Sequence, residues 1–397
     1  MRNTMRYILW SFAVLTIART SGAVSQDDDH KGNVVEKCGG DHVRAGSPKT
    51  KKRTKNAPHA SATKAAKSPN YSVTTDSKYP DIAIVTEGTT ALIQSDNIDI
   101  CTAGEAFYAK FKDNRDMLFV FAQSEAKDLA IGYNAYYQGY RNFVSGIGLS
   151  VDGKDTPLET VCGSEKRLLG IANMNSTEKW KPWAAPLLDT WPLGVIAHEI
   201  GHQWISYLTS PVKGKTEDGK TVEVTLGSDS ESSNRGHWRE LVHTSASIMY
   251  GNSWLGVPLT KEKWVSTLFP REFTKLDKYL MGIDDGSDIG NLFVIEADKS
   301  NIPKHYARPG NTASGIRVDV TIEAIKQSYG TRAEHYPSGG HGNKKTFTTG
   351  FILVVPKGEK IDPSALKVVE YFRKRIPEKM SGATDGAFTF TTDIKSR

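Results

Sequence analysis

The sequence predicts a mixed α/β (α+β) fold: a mixed twisted sheet with one helix that carries the chemistry, plus a smaller C-terminal subdomain. Three observations predict it. The runs Ile82-Ala83-Ile84-Val85 and Met117-Leu118-Phe119-Val120-Phe121 have the length and unbroken apolarity of strands buried on both faces. A helical stretch near Gly104–Phe111 separates them, the alternation that lays helices over a central sheet. The 397 residues, 38% hydrophobic and 24% charged, supply a core for one large domain or two ordinary ones.

The chain begins with a basic stretch from Met1 to Arg6, an apolar run from Tyr7 to Ile17 and the small residues Ser21, Gly22 and Ala23. Residues 1–23 therefore read as a secretory signal peptide, with cleavage expected after Ala23. The apolar run is too short to cross a bilayer, and no later segment has the required run of apolar residues, so we expect an exported protein with no integral membrane segment after cleavage. Residues 24–78 hold few large apolar side chains, and Arg44–Lys67 contains basic residues with no acid. Such a stretch buries too little surface to offset its ordering entropy, so it reads as a disordered basic linker or pro-segment, with Lys51-Lys52-Arg53 a candidate processing site. Most of the chain's +6 charge lies in these two segments. The remainder is near neutral, which argues against nucleic acid as a partner.

Order is expected from Tyr79, with one domain over 79–300 and a C-terminal α/β subdomain over 301–397. A third strand is predicted at Leu168–Met174, a late strand at Thr349–Val355 and a helix at Pro363–Arg375. Cys101 and Cys162 are the only cysteine pair in this body. Exported chains favour a disulfide between them; two buried thiols are the alternative. Asn70 and Asn175 head glycosylation sequons.

Trp191-Pro192 followed by Leu193–Leu208 reads as a helix with Pro near its start. Ile196, Ile200, Trp204 and Leu208 recur every four residues and form one apolar face. The helix contains His198-Glu199-Ile200-Gly201-His202. Histidines four apart lie one turn along the same side of a helix, so both can reach one metal ion. Glu199 is spaced to act on a water beside that ion, the combination that hydrolyses bonds with zinc. Zn²⁺ needs a third protein ligand. His237, in Gly236-His237-Trp238, is the leading candidate, reached after a loop or hairpin excursion through Val212–Arg235. His243 and the acids Asp229, Glu231, Glu240 and Asp277 compete with it.

At these residues the chain resembles a known superfamily. His198-Glu199-Ile200-Gly201-His202-Gln203-Trp204, Gly236-His237-Trp238, Ser247-Ile248-Met249-Tyr250-Gly251-Asn252 and Leu276-Asp277-Lys278-Tyr279-Leu280-Met281-Gly282 are similar to blocks in a group of exported zinc metallopeptidases assigned from sequence. More widely the chain resembles the zincins, and within them the metzincins, which implies a zincin-like fold and a Met-containing turn beneath the metal, here Met249. A standard metzincin places Gly and then His where this chain has Ile205 and Leu208. The resemblance therefore implies the leishmanolysin-like spacing, with a long insertion before His237. Gluzincin ligation by Glu231 or Glu240, and aspzincin ligation by Asp277, remain alternatives.

These readings converge on a secreted, extracellular zinc metalloendopeptidase, a monomer acting on protein or peptide substrates. His198, His202 and His237 would be the ligands, Glu199 the general base and Tyr279 an oxyanion donor. The rivals are a zincin-like binding protein or adhesin with structural zinc, and a zinc hydrolase of non-peptide amides or esters. Asp277 is alternatively an acceptor that holds a ligand histidine. Trp204, Trp238 and Trp254 read as core aromatics or as supports of a cleft. Gly201 is expected where another segment approaches the helix closely.

Overall fold

Alternation along four apolar strands decides how the main sheet is covered. A computed structural model describes residues 71–89, 91–94, 97–124, 135–149, 160–165, 167–181, 190–228, 236–260, 262–267, 272–297, 309–334 and 346–394, all within the compact unit Lys37–Arg397. Residues 1–23, the expected signal peptide, Lys51-Lys52-Arg53, Asn70, Asp229 and Glu231 lie outside the described residues, as does most of 24–78.

The first half of the chain runs β1 (Tyr71–Thr74), β2 (Ile82–Glu87), α1 (Ile100–Lys110), β3 (Met117–Ala122), β4 (Tyr136–Gly139), β5 (Val144–Ser145), β6 (Gly170–Ser176), α2 (Thr177–Trp180) and α3 (Thr190–Gly201). Next come β7 (Val212–Thr216), β8 (Thr221–Val224), β9 (Val242–His243), β10 (Trp254–Gly256), β11 (Lys263–Ser266) and α4 (Lys275–Met281). The chain closes with β12 (Phe293–Glu296), β13 (Thr312–Ser314), β14 (Ile316–Asp319), α5 (Ile322–Tyr329), β15 (Ala333–Glu334), β16 (Thr346–Val355), α6 (Pro363–Ala383) and β17 (Thr389–Thr391).

The seven-stranded sheet has the order β1-β2-β16-β3-β6-β4, with β17 beside the start of β16. Its centre, β2, β16, β3 and β6, is parallel, while β1 and β4 are antiparallel to their neighbours. Parallel strands need crossovers and both faces covered. Ala83, Val85, Leu118, Val120, Ile352 and Val354 accordingly pack with Ala103, Ala106 and Phe107 of α1. The alternate residues Ile82, Ile84, Phe119, Phe121, Phe351 and Leu353 pack with α3 and α6. A five-stranded sheet, β8-β7-β14-β12-β9, and the three-stranded β10-β11-β13 lie beyond.

The expected subdomain 301–397 completes this fold from within. Its β16 hydrogen-bonds between β2 and β3, and its β14 lies between β7 and β12, so no cut at residue 300 separates two sheets. Helix α1 starts at Ile100, earlier than predicted, because the Asp99 side chain caps it by accepting from Thr102 N at 3.0 Å. Helix α6 runs past Arg375 and through Pro377 to Ala383. Proline removes one helical hydrogen bond, but Ile376, Met380 and Ala383 are buried and hold the extra turns in the core.

Cys101 and Cys162 are disulfide-bonded, tying α1 to the segment before β6. Asn175 is buried at 1% exposure, and its backbone N–H donates to Asn173 Oδ1; a glycan has no room there, so that sequon is closed in the folded chain. No helix among the described residues is long and apolar enough to cross a membrane.

Candidate metal centre

Helix α3 has its apolar face where the sequence places it: Ile196, Ile200, Trp204 and Leu208 are all buried in the core shared with β3 and α6. The helix ends at Gly201, however, well before Leu208. Ser206 takes a left-handed φ of 71°, which an α-helix cannot continue. The turn that follows still carries His202 on helical bonds, its N–H donating to His198 O at 3.3 Å and Glu199 O at 3.2 Å. Tyr207 Oη donates to His202 O at 2.5 Å, satisfying a carbonyl that the helix end leaves open.

The chain then leaves through the β7–β8 hairpin, the predicted excursion, and returns at Gly236-His237. Three buried imidazoles meet there, with ligand atoms of His198, His202 and His237 all within 4.8 Å of one another. His198 Nε2 and His237 Nε2 are 3.0 Å apart. Two nitrogens bound to one zinc at about 2.0–2.1 Å in a tetrahedron lie roughly 3.3 Å apart, so the spacing suits an ion. His198 Nδ1 is 2.7 Å from Ile248 O. A carbonyl only accepts, so this nitrogen carries the proton and the neutral ring presents a bare Nε2 to the centre.

Glu199 is fully buried, and among the described residues neither carboxylate oxygen has a hydrogen-bond partner; His202 Nε2 stands 4.0 Å from Oε2. Burial alone raises its pKa well above the ordinary carboxylate value. A buried polar group with nothing to bond is costly; an ion and a water beside it would supply its missing partners.

Close approach of segments builds the floor. A Cβ on Gly201 would lie 2.6 Å from Met249 Sδ and 3.0 Å from Phe273 Cε1, the close contact expected at that glycine. Gly201→Ala should therefore destabilise the chain by about 1–3 kcal/mol, measurable by denaturant unfolding. Gly236, at φ +81°, stands where a Cβ would come 3.1 Å from His202 Nδ1. Met249 thus packs against the helix at Gly201.

The structure brings His198, Glu199, His202 and His237 together and leaves the other described candidates elsewhere. Tyr279 is a core residue whose hydroxyl accepts from Arg332 N at 3.1 Å; among the described residues no contact joins it to the histidines, so the oxyanion role has no geometric support. His243 Nδ1 accepts from Trp254 N at 2.9 Å, and its ring stacks on Phe293 at 4.4 Å. It is a satisfied structural histidine. Asp277 meets the indole of Trp238, at 3.0 Å from Nε1, and no histidine. Glu240 is outside the three-histidine group. Trp204 packs on Phe347 and Phe388, and Trp254 donates to Glu240 O; both are core aromatics.

Sequence reasoning missed two contributors. Tyr250 stacks on His237 at 4.5 Å and lies 4.8 Å from the His198 ring, walling the centre; its position just after Met249 was the available signal. The Ile248 carbonyl left no signal, because any residue supplies one.

Burial holds His198 and His243 neutral, each lowered to about 4. Unfolded, both take a proton near 6.5 and folded only near 4, so their contribution is complete above about pH 6.5 and is lost as pH falls towards 4. The metal-free chain should lose on the order of 2–3 kcal/mol per histidine across that window. Melting temperatures of the metal-free Glu199→Gln chain at a series of pH values check this, because the opposing titration of Glu199 is absent there, and a flat profile contradicts it.

No protein-family model, no curated protein and no solved structure matches this chain.

Proposed function

We propose that the protein is an exported zinc metalloendopeptidase. The observation that carries this reading is the fully buried Glu199 carboxylate, unbonded among the described residues, set beside three convergent imidazoles. A purely structural metal site needs no such carboxylate, whereas hydrolysis needs a base poised at the attacking water. Zinc held by His198, His202 and His237 would polarise the scissile carbonyl and acidify a water. Glu199 would take the proton from that water and pass it to the nitrogen of the departing amine. Its raised pKa suits both halves of the task, because burial makes the carboxylate a stronger base than usual and lets its acid form hold the proton closer to neutral pH. His198 keeps its Nδ1 proton on Ile248 O throughout.

A peptide substrate would enter along the sheet edge. Among the described residues strand β4 ends the sheet order, and its Tyr137 Oη donates to Gln203 Oε1 at 2.6 Å, next to His202. Edge strands offer unpaired backbone groups to an extended chain. Residues 1–23 would export the protein to an oxidising space, where the Cys101–Cys162 bond persists.

The test is digestion of a mixed peptide library by the full chain with one equivalent of zinc. The expected result is cleavage that stops on chelation and returns with zinc. A zinc-loaded chain that cleaves no peptide overturns the peptidase reading.

A further inference from the structure

Asp277 is fully buried and has no cationic partner among the described residues. Its Oδ2 accepts from Thr274 N at 2.8 Å and Thr274 Oγ1 at 2.9 Å, the capping box of α4. A neutral side chain serves a cap, and a buried carboxylate is expensive, so the second oxygen is informative. Oδ1 accepts from Trp238 Nε1 at 3.0 Å, and this indole nitrogen also reaches the Ser247 hydroxyl.

Those two side chains lead to two ligands. Trp238 follows His237 directly, and its backbone N–H donates to Met249 O at 3.0 Å. Ser247 Oγ accepts from Met249 N at 3.0 Å and so fixes the segment whose Ile248 carbonyl holds His198 Nδ1. Trp238 Nε1 is 3.1 Å from Ser247 Oγ, which joins the three groups through the indole.

We infer that Asp277 is a positioning residue of the metal centre, which sets the spacing of His198 and His237 by bracing Trp238 and, through its indole, Ser247. This rests on the three-histidine reading above. The carboxylate touches neither metal nor substrate. It holds two separate segments against the start of α4, and loosening it lets the ligand nitrogens move apart.

The test uses the full chain, with zinc affinity measured by competition against a chromophoric chelator and with the electronic spectrum of the Co²⁺-loaded protein. Asp277→Asn and Trp238→Phe are each expected to weaken zinc about 10–100-fold and to shift the cobalt bands. The double variant should fall within about twofold of the weaker single one, because both act through one bond. Thr274→Ala, which removes part of the cap alone, should lower the melting temperature and leave zinc affinity within about twofold of the parent. Should Trp238→Phe fail to fold, Ser247→Ala replaces it. Parent-like zinc affinity and cobalt spectra in Asp277→Asn overturn the inference while leaving the metal centre standing. A parent chain that binds no zinc overturns the three-histidine reading, and this inference with it.

Discussion

Glu199→Gln is expected to abolish peptide cleavage, retain zinc and stabilise the metal-free chain. The first effect is loss of the proton carrier: a positioned general base is worth about 10²–10⁴ in rate, and an amide cannot take the proton. Zinc is expected to stay, because Glu199 lies outside the three-histidine group. The stabilisation follows from burial. The folded chain raises the Glu199 pKa well above 4.5, so the unfolded state holds fewer protons than the folded one once pH exceeds that value. Stability is therefore lost as pH rises above about 4.5, and a neutral glutamine avoids the loss. A gain of about 1–3 kcal/mol near neutral pH, shrinking towards pH 4.5, is expected in thermal unfolding of metal-free protein. Parent-like cleavage by the variant would end the role assigned to Glu199.

His237→Ala should cost the centre its metal. The ring supplies one of three nitrogens, its Nε2 only 3.0 Å from that of His198, and alanine leaves a gap beside Tyr250 that only water can fill. Loss of a supporting contact around a metal costs roughly 10–100-fold in affinity, and loss of a ligand should cost more. Zinc per chain after dialysis should fall from one in the parent to a small fraction in the variant, with cleavage lost in proportion. His243→Ala is the comparison: its bond to Trp254 and stacking on Phe293 make it a stability variant that keeps zinc. Equal zinc in parent and His237→Ala would move the third ligand elsewhere.

Much of the centre was legible because its logic is local. Four-residue spacing put His198 and His202 on one side of α3, and the apolar repeat at Ile196, Ile200 and Trp204 named the opposite side. Gly201 was readable as a contact point, although only the fold shows that Met249 and Phe273 make the contact. His237 came from the need for a third ligand. What sequence did not disclose is long-range. The place of β16 between β2 and β3 depends on strand order, which chain order does not encode. The early end of α3 rests on the backbone of Ser206, a residue type with no marked left-handed preference. Tyr279 is an oxyanion candidate only through the likeness to zincin tyrosines, while its apolar run points to the core; its hydroxyl accepts from Arg332 N, and Asp277 meets Trp238.

The measurement that most directly tests the central claim is zinc-edge X-ray absorption on the full chain carrying one equivalent of zinc. The account predicts a first shell of three imidazole nitrogens at roughly 2.0–2.1 Å with one further light atom. A shell containing sulfur, or one with fewer than three imidazoles, would contradict it.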